Sequence, residues 1–153
     1  MDKMELKQII NEFIPNTNVN SFNNRLKMQK IIYILKYLDI VNYNYTWYIR
    51  GPYSVGLARD YYKTYHMGET VQVDINNPER LQKVKEYLVT ENLDHSKYEL
   101  LSSILYQSKH YQIPLSNTEE ILHKISIEKP EFSSEDVKKM LQLALKIESI
   151  RSS

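Results

Sequence analysis

The chain has 153 residues, no cysteine, three glycines and a formal net charge of +1. That is one domain's worth of sequence, since domains cluster near roughly 100–150 residues, and it is enough to bury a core without cross-links. The composition excludes disulfides, a thiolate nucleophile and a cysteine-held metal. It leaves little material for a glycine-rich phosphate loop, and it supplies no one-signed field that would make nucleic acid or membrane the default partner.

No run approaches the ~20 apolar residues of a membrane span. Residues 1–5 are followed by no long apolar stretch, so a secretory leader is not expected, and the absence of cysteine fits a cytoplasmic setting. The unusual feature is tyrosine, with 13 residues, many of them between Tyr33 and Tyr65. Tyrosine serves interfaces as well as cores, because a large ring is buried while the hydroxyl stays wet.

Leu6, Ile9, Ile10 and Phe13 recur at helical spacing and predict a first helix over 2–13. Pro15 and the asparagine-rich run 16–20 end it, and Asn20 or Ser21 can cap the next helix. That second helix is predicted over 22–39. Its Leu26, Met28, Ile31, Ile32, Ile34, Leu35 and Leu38 cover far more than one stripe, so it should be central and packed on several sides. Arg25, Lys27, Lys30 and Lys36 interrupt the apolar surface and are expected to reach solvent along their stems.

Residues 43–50 alternate, with Tyr45, Trp47 and Ile49 on one side and Thr46, Tyr48 and Arg50 on the other, which predicts a short strand. Gly51-Pro52 should stop it, and Pro52 or Ser54 should open a third helix carrying Val55, Ala58, Tyr61, Tyr62 and Tyr65. Gly68 ends that helix. Val71, Val73 and Ile75 predict a second strand, expected to pair with the first as one small sheet leaning on the helices.

Asn77-Pro78-Glu79 is a strong helix start, followed by Leu81, Val84 and Leu88 at helical spacing. A further helix after Asp94 carries Tyr98, Leu101, Ile104 and Leu105, and Pro114 breaks the pattern. Ser116-Asn117-Thr118-Glu119 reads as a capping box ahead of Ile121, Leu122 and Ile125. Lys129-Pro130 ends that segment. Residues 133–136 start a last helix bearing Val137, Met140, Leu141, Ala144 and Ile147. The prediction is a single, mainly α domain over 1–153, with about six to seven helices and a small two-stranded β element.

Catalytic and metal constellations are not found. His66, His95, His110 and His123 include no pair three or four residues apart, so no helix carries a two-histidine metal motif. Ser54, Asp60 and His66 lie in one region, but no Gly-x-Ser-x-Gly elbow accompanies them, and a capping serine with two surface residues is the simpler reading. Glu119 and Glu120 are adjacent and diverge on a helix. Asp39 and Asp60 could meet only across the fold. No cofactor and no catalytic residue are expected.

Two binding readings stay open. Arg25, Lys27, Lys30 and Lys36, interleaved with Tyr33 and Tyr37, could grip phosphates and stack bases, which would make the chain a nucleic-acid-binding regulator. The helix that carries them is also the one with the most core character. Arg50, between a strand end and a helix start, could hold an anion or a partner's carboxylate, or could pair with Asp60 or cap carbonyls inside the fold. An enzyme with an unrecognised site is the third alternative.

The run Lys27-Met28-Gln29-Lys30-Ile31-Ile32-Tyr33, followed by the aromatic segment 45–50 and the turn Arg50-Gly51-Pro52-Tyr53-Ser54, resembles the antitoxin SocA-like, or Panacea, domain family. The signature positions are Lys27, Gln29, Lys30, Tyr33, Gly51 and Pro52. The stretch Lys129-Pro130-Glu131-Phe132-Ser133 resembles the YwgA-like relatives, so the likeness spans about residues 21–150. It implies a compact helical domain with a small β element and a non-catalytic role. It implies a protein partner, a cognate toxin in a toxin–antitoxin, mobile-element or defence setting, with delivery to a protease in one type. Tyr48, Arg50, Tyr53 and Tyr62 are the candidate partner-binding residues, with the second helix as scaffold and Gln29 and Lys30 tying it to the Gly51-Pro52 turn. A homodimer is compatible with the tyrosine content, nucleic acid ranks below protein as partner, and no membrane is expected.

Overall fold

The computed structural model describes residues 2–15 and 18–152. Of the predicted loop 16–20, Asn16 and Thr17 therefore lie outside the described residues. In chain order the elements are β1 (Asp2–Glu5), α1 (Leu6–Phe13), α2 (Phe22–Tyr37), β2 (Thr46–Tyr48), β3 (Gly51–Tyr53), α3 (Val55–His66), β4 (Gln72–Ile75), α4 (Pro78–Glu91), α5 (His95–His110), α6 (Thr118–Glu128) and α7 (Ser134–Arg151). The mainly α class is as predicted, with seven helices among the described residues.

Two helices form the centre. Every residue from Met28 to Leu35 in α2 is buried, and so is every residue from Tyr98 to Leu105 in α5. A helix buried all round needs neighbours on every side, and α2 and α5 pack on each other while α6 and α7 cover α5. The signature Tyr33 belongs to this core at 4 % exposure. Side-chain caps satisfy the first free amides of five helices: Ser21 on α2, Ser54 on α3, Asn77 on α4, Asp94 on α5 and Ser133 on α7.

The β structure departs from the prediction. Residues 2–5 are a strand, not the first turn of α1, because Asp-Lys-Met-Glu offers no apolar face at helical spacing, whereas β4 needs a partner. Met4 lies opposite Val73 and Lys3 opposite Asp74 in an antiparallel pair. The two predicted strands do not pair with each other. Strand β4 takes β1, and β2 takes β3, giving two separate two-stranded sheets. The expected stop at Gly51-Pro52 is itself β3, with Trp47 opposite Pro52 and Tyr48 opposite Gly51.

Strand β2 is also shorter than the alternating run. It ends at Tyr48, and Ile49-Arg50 is the hairpin turn, so Ile49 leaves the inward side of the alternation and stands 90 % exposed. Gly51 closes the turn at φ +92, the left-handed region that only glycine enters freely. A Cβ there would sit 2.8 Å from the Ser103 hydroxyl on α5. Glycine thus answers two demands at once: the backbone reversal and the close seating of the hairpin on α5.

The capping box at 116–119 is not formed. Asn117 occupies the cap of α6 without a side-chain bond to a backbone amide, and its side-chain amide donates instead to the Glu120 carboxylate at 2.8 Å.

Candidate functional site

The β2–β3 hairpin lies across α2 and α5 and is held from beneath by side chains of both. Gln29 on α2 works as a strand edge would: its Nε2 donates to the Ser54 carbonyl at 2.9 Å, and its Oε1 accepts from the Ser54 amide at 2.8 Å. The next residue, Lys30, donates from Nζ to the Pro52 carbonyl at 2.6 Å. The expected tie between the second helix and the turn therefore exists. The expectation that Lys30 reaches solvent does not hold, since the side chain is 1 % exposed. Its stem follows the apolar core, and its head finds a carbonyl before it finds water.

Beneath the turn sits a buried ionic cluster. The Glu99 carboxylate on α5, 1 % exposed, accepts from Lys129 Nζ at 2.9 Å and from Arg50 Nε at 2.5 Å. Lys129, 2 % exposed, also donates to the Ile49 carbonyl at 2.9 Å. Burial pushes the Glu99 carboxyl up, but hydrogen bonds from Lys129 and Arg50 and their charges win and hold it below the ordinary carboxylate range. Arg50 thus pairs with Glu99 and not with Asp60, which accepts from the Tyr43 hydroxyl at 2.7 Å. Ser54 is the buried cap of α3, bonded to the Leu57 amide at 3.1 Å, and takes no part in a triad with Asp60 and His66.

Lys30 is the strained member of this neighbourhood. Burial pulls its ammonium down from 10.5 to about 7; Glu99 opposes the shift, and Lys129 and Arg50 add to it. Between about pH 7 and the ordinary lysine value, the unfolded chain holds a proton that the folded chain has released, so stability rises with pH across that window. The buried Tyr33 and Tyr45 hydroxyls are pushed up, so they act oppositely once the unfolded chain's tyrosines ionise near pH ~10, which closes the window. Urea midpoints measured between about pH 7 and pH 9 should climb for the natural chain and stay level for Lys30→Met.

On the outer side of the hairpin an apolar groove of about 400 Å³ runs between α2 and the turn, lined by Phe22, Leu26, Tyr48, Ile49 and Tyr53 with Lys30 at its floor. Tyr48 and Tyr53 meet edge to face at 5.2 Å. Phe22 lies between two guanidinium groups, with Arg25 at 5.9 Å and Arg50 at 5.7 Å from its ring centroid. Of the sequence candidates, Tyr48, Arg50 and Tyr53 come together here. Tyr62 does not: it stands exposed on α3, its ring 4.9 Å from that of His66.

Sequence reasoning missed Ile49, Glu99 and Lys129. Glu99 left a trace, since it sits inside the run Tyr98–Leu105, which is apolar or small at every other position. Lys129 was read as a helix end and as the start of the stretch that resembles the YwgA-like relatives, with no tie to Glu99 or the hairpin. Among the described residues, no group of three or more His, Asp and Glu side chains is placed to hold a metal, and no helix is long and apolar enough to cross a membrane.

Comparison with known proteins gives no match to a family model, a curated protein or a solved structure.

Proposed function

We propose that this chain is a non-catalytic protein-interaction module of the antitoxin type, acting in the cytoplasm by docking a partner protein at the hairpin tip and its groove. One observation carries the reading. Ile49 is 90 % exposed, yet its carbonyl is fixed by a buried lysine and the next side chain is fixed by a buried carboxylate. A large apolar side chain in water costs free energy, and a backbone immobilised beneath it loses little further entropy on binding. That is the physical profile of an interface anchor. The flanking Tyr48 and Phe22, both 52 % exposed, add aromatic area of the kind that interfaces use.

The partner's complementary surface is apolar and flanked by carboxylates, because Arg50 lines the groove and Arg25 lies near the Phe22 ring at its wall, while the Glu99 carboxylate is already paired with Arg50 and Lys129. The likeness of residues 27–33 and 50–54 to the SocA-like signature supports a cognate toxin as that partner and protease delivery as one outcome of docking.

The test is capture from source cells, followed by reconstitution with the purified captured protein. The natural chain should hold one protein stoichiometrically. Ile49→Asp should weaken that complex about 10-fold or more while leaving far-UV circular dichroism unchanged, and Tyr87→Ala on α4, a solvent-facing control, should leave it intact. The partner expressed alone should arrest growth, and co-expression of this chain should relieve the arrest. A complex indifferent to Ile49→Asp, or a hairpin face that only self-associates in light scattering, overturns the reading.

A further inference from the structure

The basic strip of α2 is dispersed by the fold. Arg25 donates to the Val19 carbonyl at 2.7 Å, Lys27 borders a cleft shared with Leu88 and Asn92, and Lys30 is buried. Lys36 goes elsewhere. With Tyr33 and Tyr37 it enters a separate cleft of about 200 Å³ between the C-terminal turns of α2 and α5, on which Tyr106, Lys109 and His110 converge.

The wall of this cleft is a continuous set of rings. Tyr106 is its hub, with centroids 5.8 Å from Tyr33, 5.3 Å from Trp47 and 5.4 Å from His110, the last nearly parallel at 15°. Tyr45 extends the set, edge to face with Tyr33 at 5.0 Å. The rim is cationic. Lys36 Nζ donates to Asn42 Oδ1 at 3.0 Å, a neutral partner that positions the ammonium without cancelling its charge. Lys109 Nζ lies 5.7 Å from the Tyr37 ring centroid. An ammonium has three donors, so each keeps capacity for an anion. Among the described residues, no carboxylate side chain lines the cleft. Glu148, near its end, is held by the Tyr37 hydroxyl at 2.5 Å, and Arg151 covers the same ring at 4.6 Å. In a chain of net charge +1, this is a local concentration of positive charge beside a ring cluster whose half-buried Tyr106 and exposed His110 reach the surface.

We infer that the cleft between α2 and α5 binds a nucleotide, its base stacked on the Tyr106–His110 wall and its phosphate held between Lys36 and Lys109. Each half of the ligand answers one half of the site. Ring faces accept any base without reading its edge, and two ammonium groups at a rim attract a phosphate but give an uncharged nucleoside nothing to hold. The same chemistry is offered by a free mononucleotide and by an unpaired nucleotide of a single strand.

Isothermal titration at low salt with AMP, adenosine, inorganic phosphate and a short oligothymidylate distinguishes these. AMP should bind at least about tenfold tighter than adenosine or phosphate alone, because only AMP engages both wall and rim. Lys109→Glu, on an exposed position, should weaken AMP about tenfold with circular dichroism unchanged, and Tyr106→Leu should weaken AMP while sparing phosphate. Equal affinity for AMP and oligothymidylate assigns a free nucleotide; a tighter oligonucleotide whose affinity falls steeply with salt assigns a single strand. No heat with either nucleotide ligand, phosphate binding as tightly as AMP, or indifference to Lys109→Glu overturns the inference.

Discussion

Glu99→Ala should destabilise the domain by about 3–5 kcal/mol, read as a fall in the urea midpoint at neutral pH. The carboxylate is 1 % exposed and is the acceptor that Lys129 and Arg50 share. Its removal leaves the Lys129 ammonium buried without a counter-charge, and it also takes from the buried Lys30 the one carboxylate that offsets the charges of Lys129 and Arg50. Arg50 suffers less, because its side chain is 43 % exposed and can turn to water. The loss belongs to breaking the cluster and not to the cluster's intrinsic worth. Glu99→Leu combined with Lys129→Met should therefore recover most of the stability, as apolar replacements of buried ion pairs commonly do. That double variant lacks the donor to the Ile49 carbonyl. It should fold and yet hold the partner less tightly, which separates the cluster's service to the hairpin from its service to the core.

Leu35→Asp should abolish folding, seen as loss of the helical signal in far-UV circular dichroism. Leu35 is 0 % exposed in the last turn of α2, where its neighbours Ile31 and Leu38 are buried as well. Truncating such a leucine alone costs about 2–5 kcal/mol, and an unpaired carboxylate in its place adds a desolvation penalty of several more. Against a total stability of about 5–15 kcal/mol, the sum is disabling. Ile31→Asp, at 2 % exposure, should behave alike. Ile49→Asp, the same chemical change on the exposed turn, should leave the signal intact. Were the pattern reversed, scaffold and surface would be exchanged.

Legibility followed the range of the interaction. The buried character of α2 could be read because seven aliphatic and methionine side chains surround one helix, which no amphipathic surface helix tolerates. Ser54 as a cap could be read because it acts within a few residues, whereas Gly51-Pro52, expected as a stop, begins β3, because the chain already reverses at Ile49-Arg50. Pairing of β2 with β4 was a reasonable expectation from two alternating runs, but strand partners are set by proximity in the fold, and there residues 2–5 lie beside β4. Lys30 looked like a snorkelling lysine because a sequence cannot say where the nearest carbonyl lies. Here it is Pro52, 22 residues away.

The sequence alone determined the mainly helical class, the order of the helices, the depth of α2 and the Ser54 cap. These follow from periodicity and capping chemistry, which act over three or four residues. Only the tertiary structure decided which charges are buried. Glu99 gathers Arg50 from 49 positions away and Lys129 from 30, and Lys129 reaches Ile49 across 80. Ion pairing at such separations leaves no local pattern, because either charge alone reads as a solvated surface residue. The exposure of Ile49 was settled the same way: the alternation that pointed it inward ended one residue early, where the chain turned back to seat Gly51 on α5.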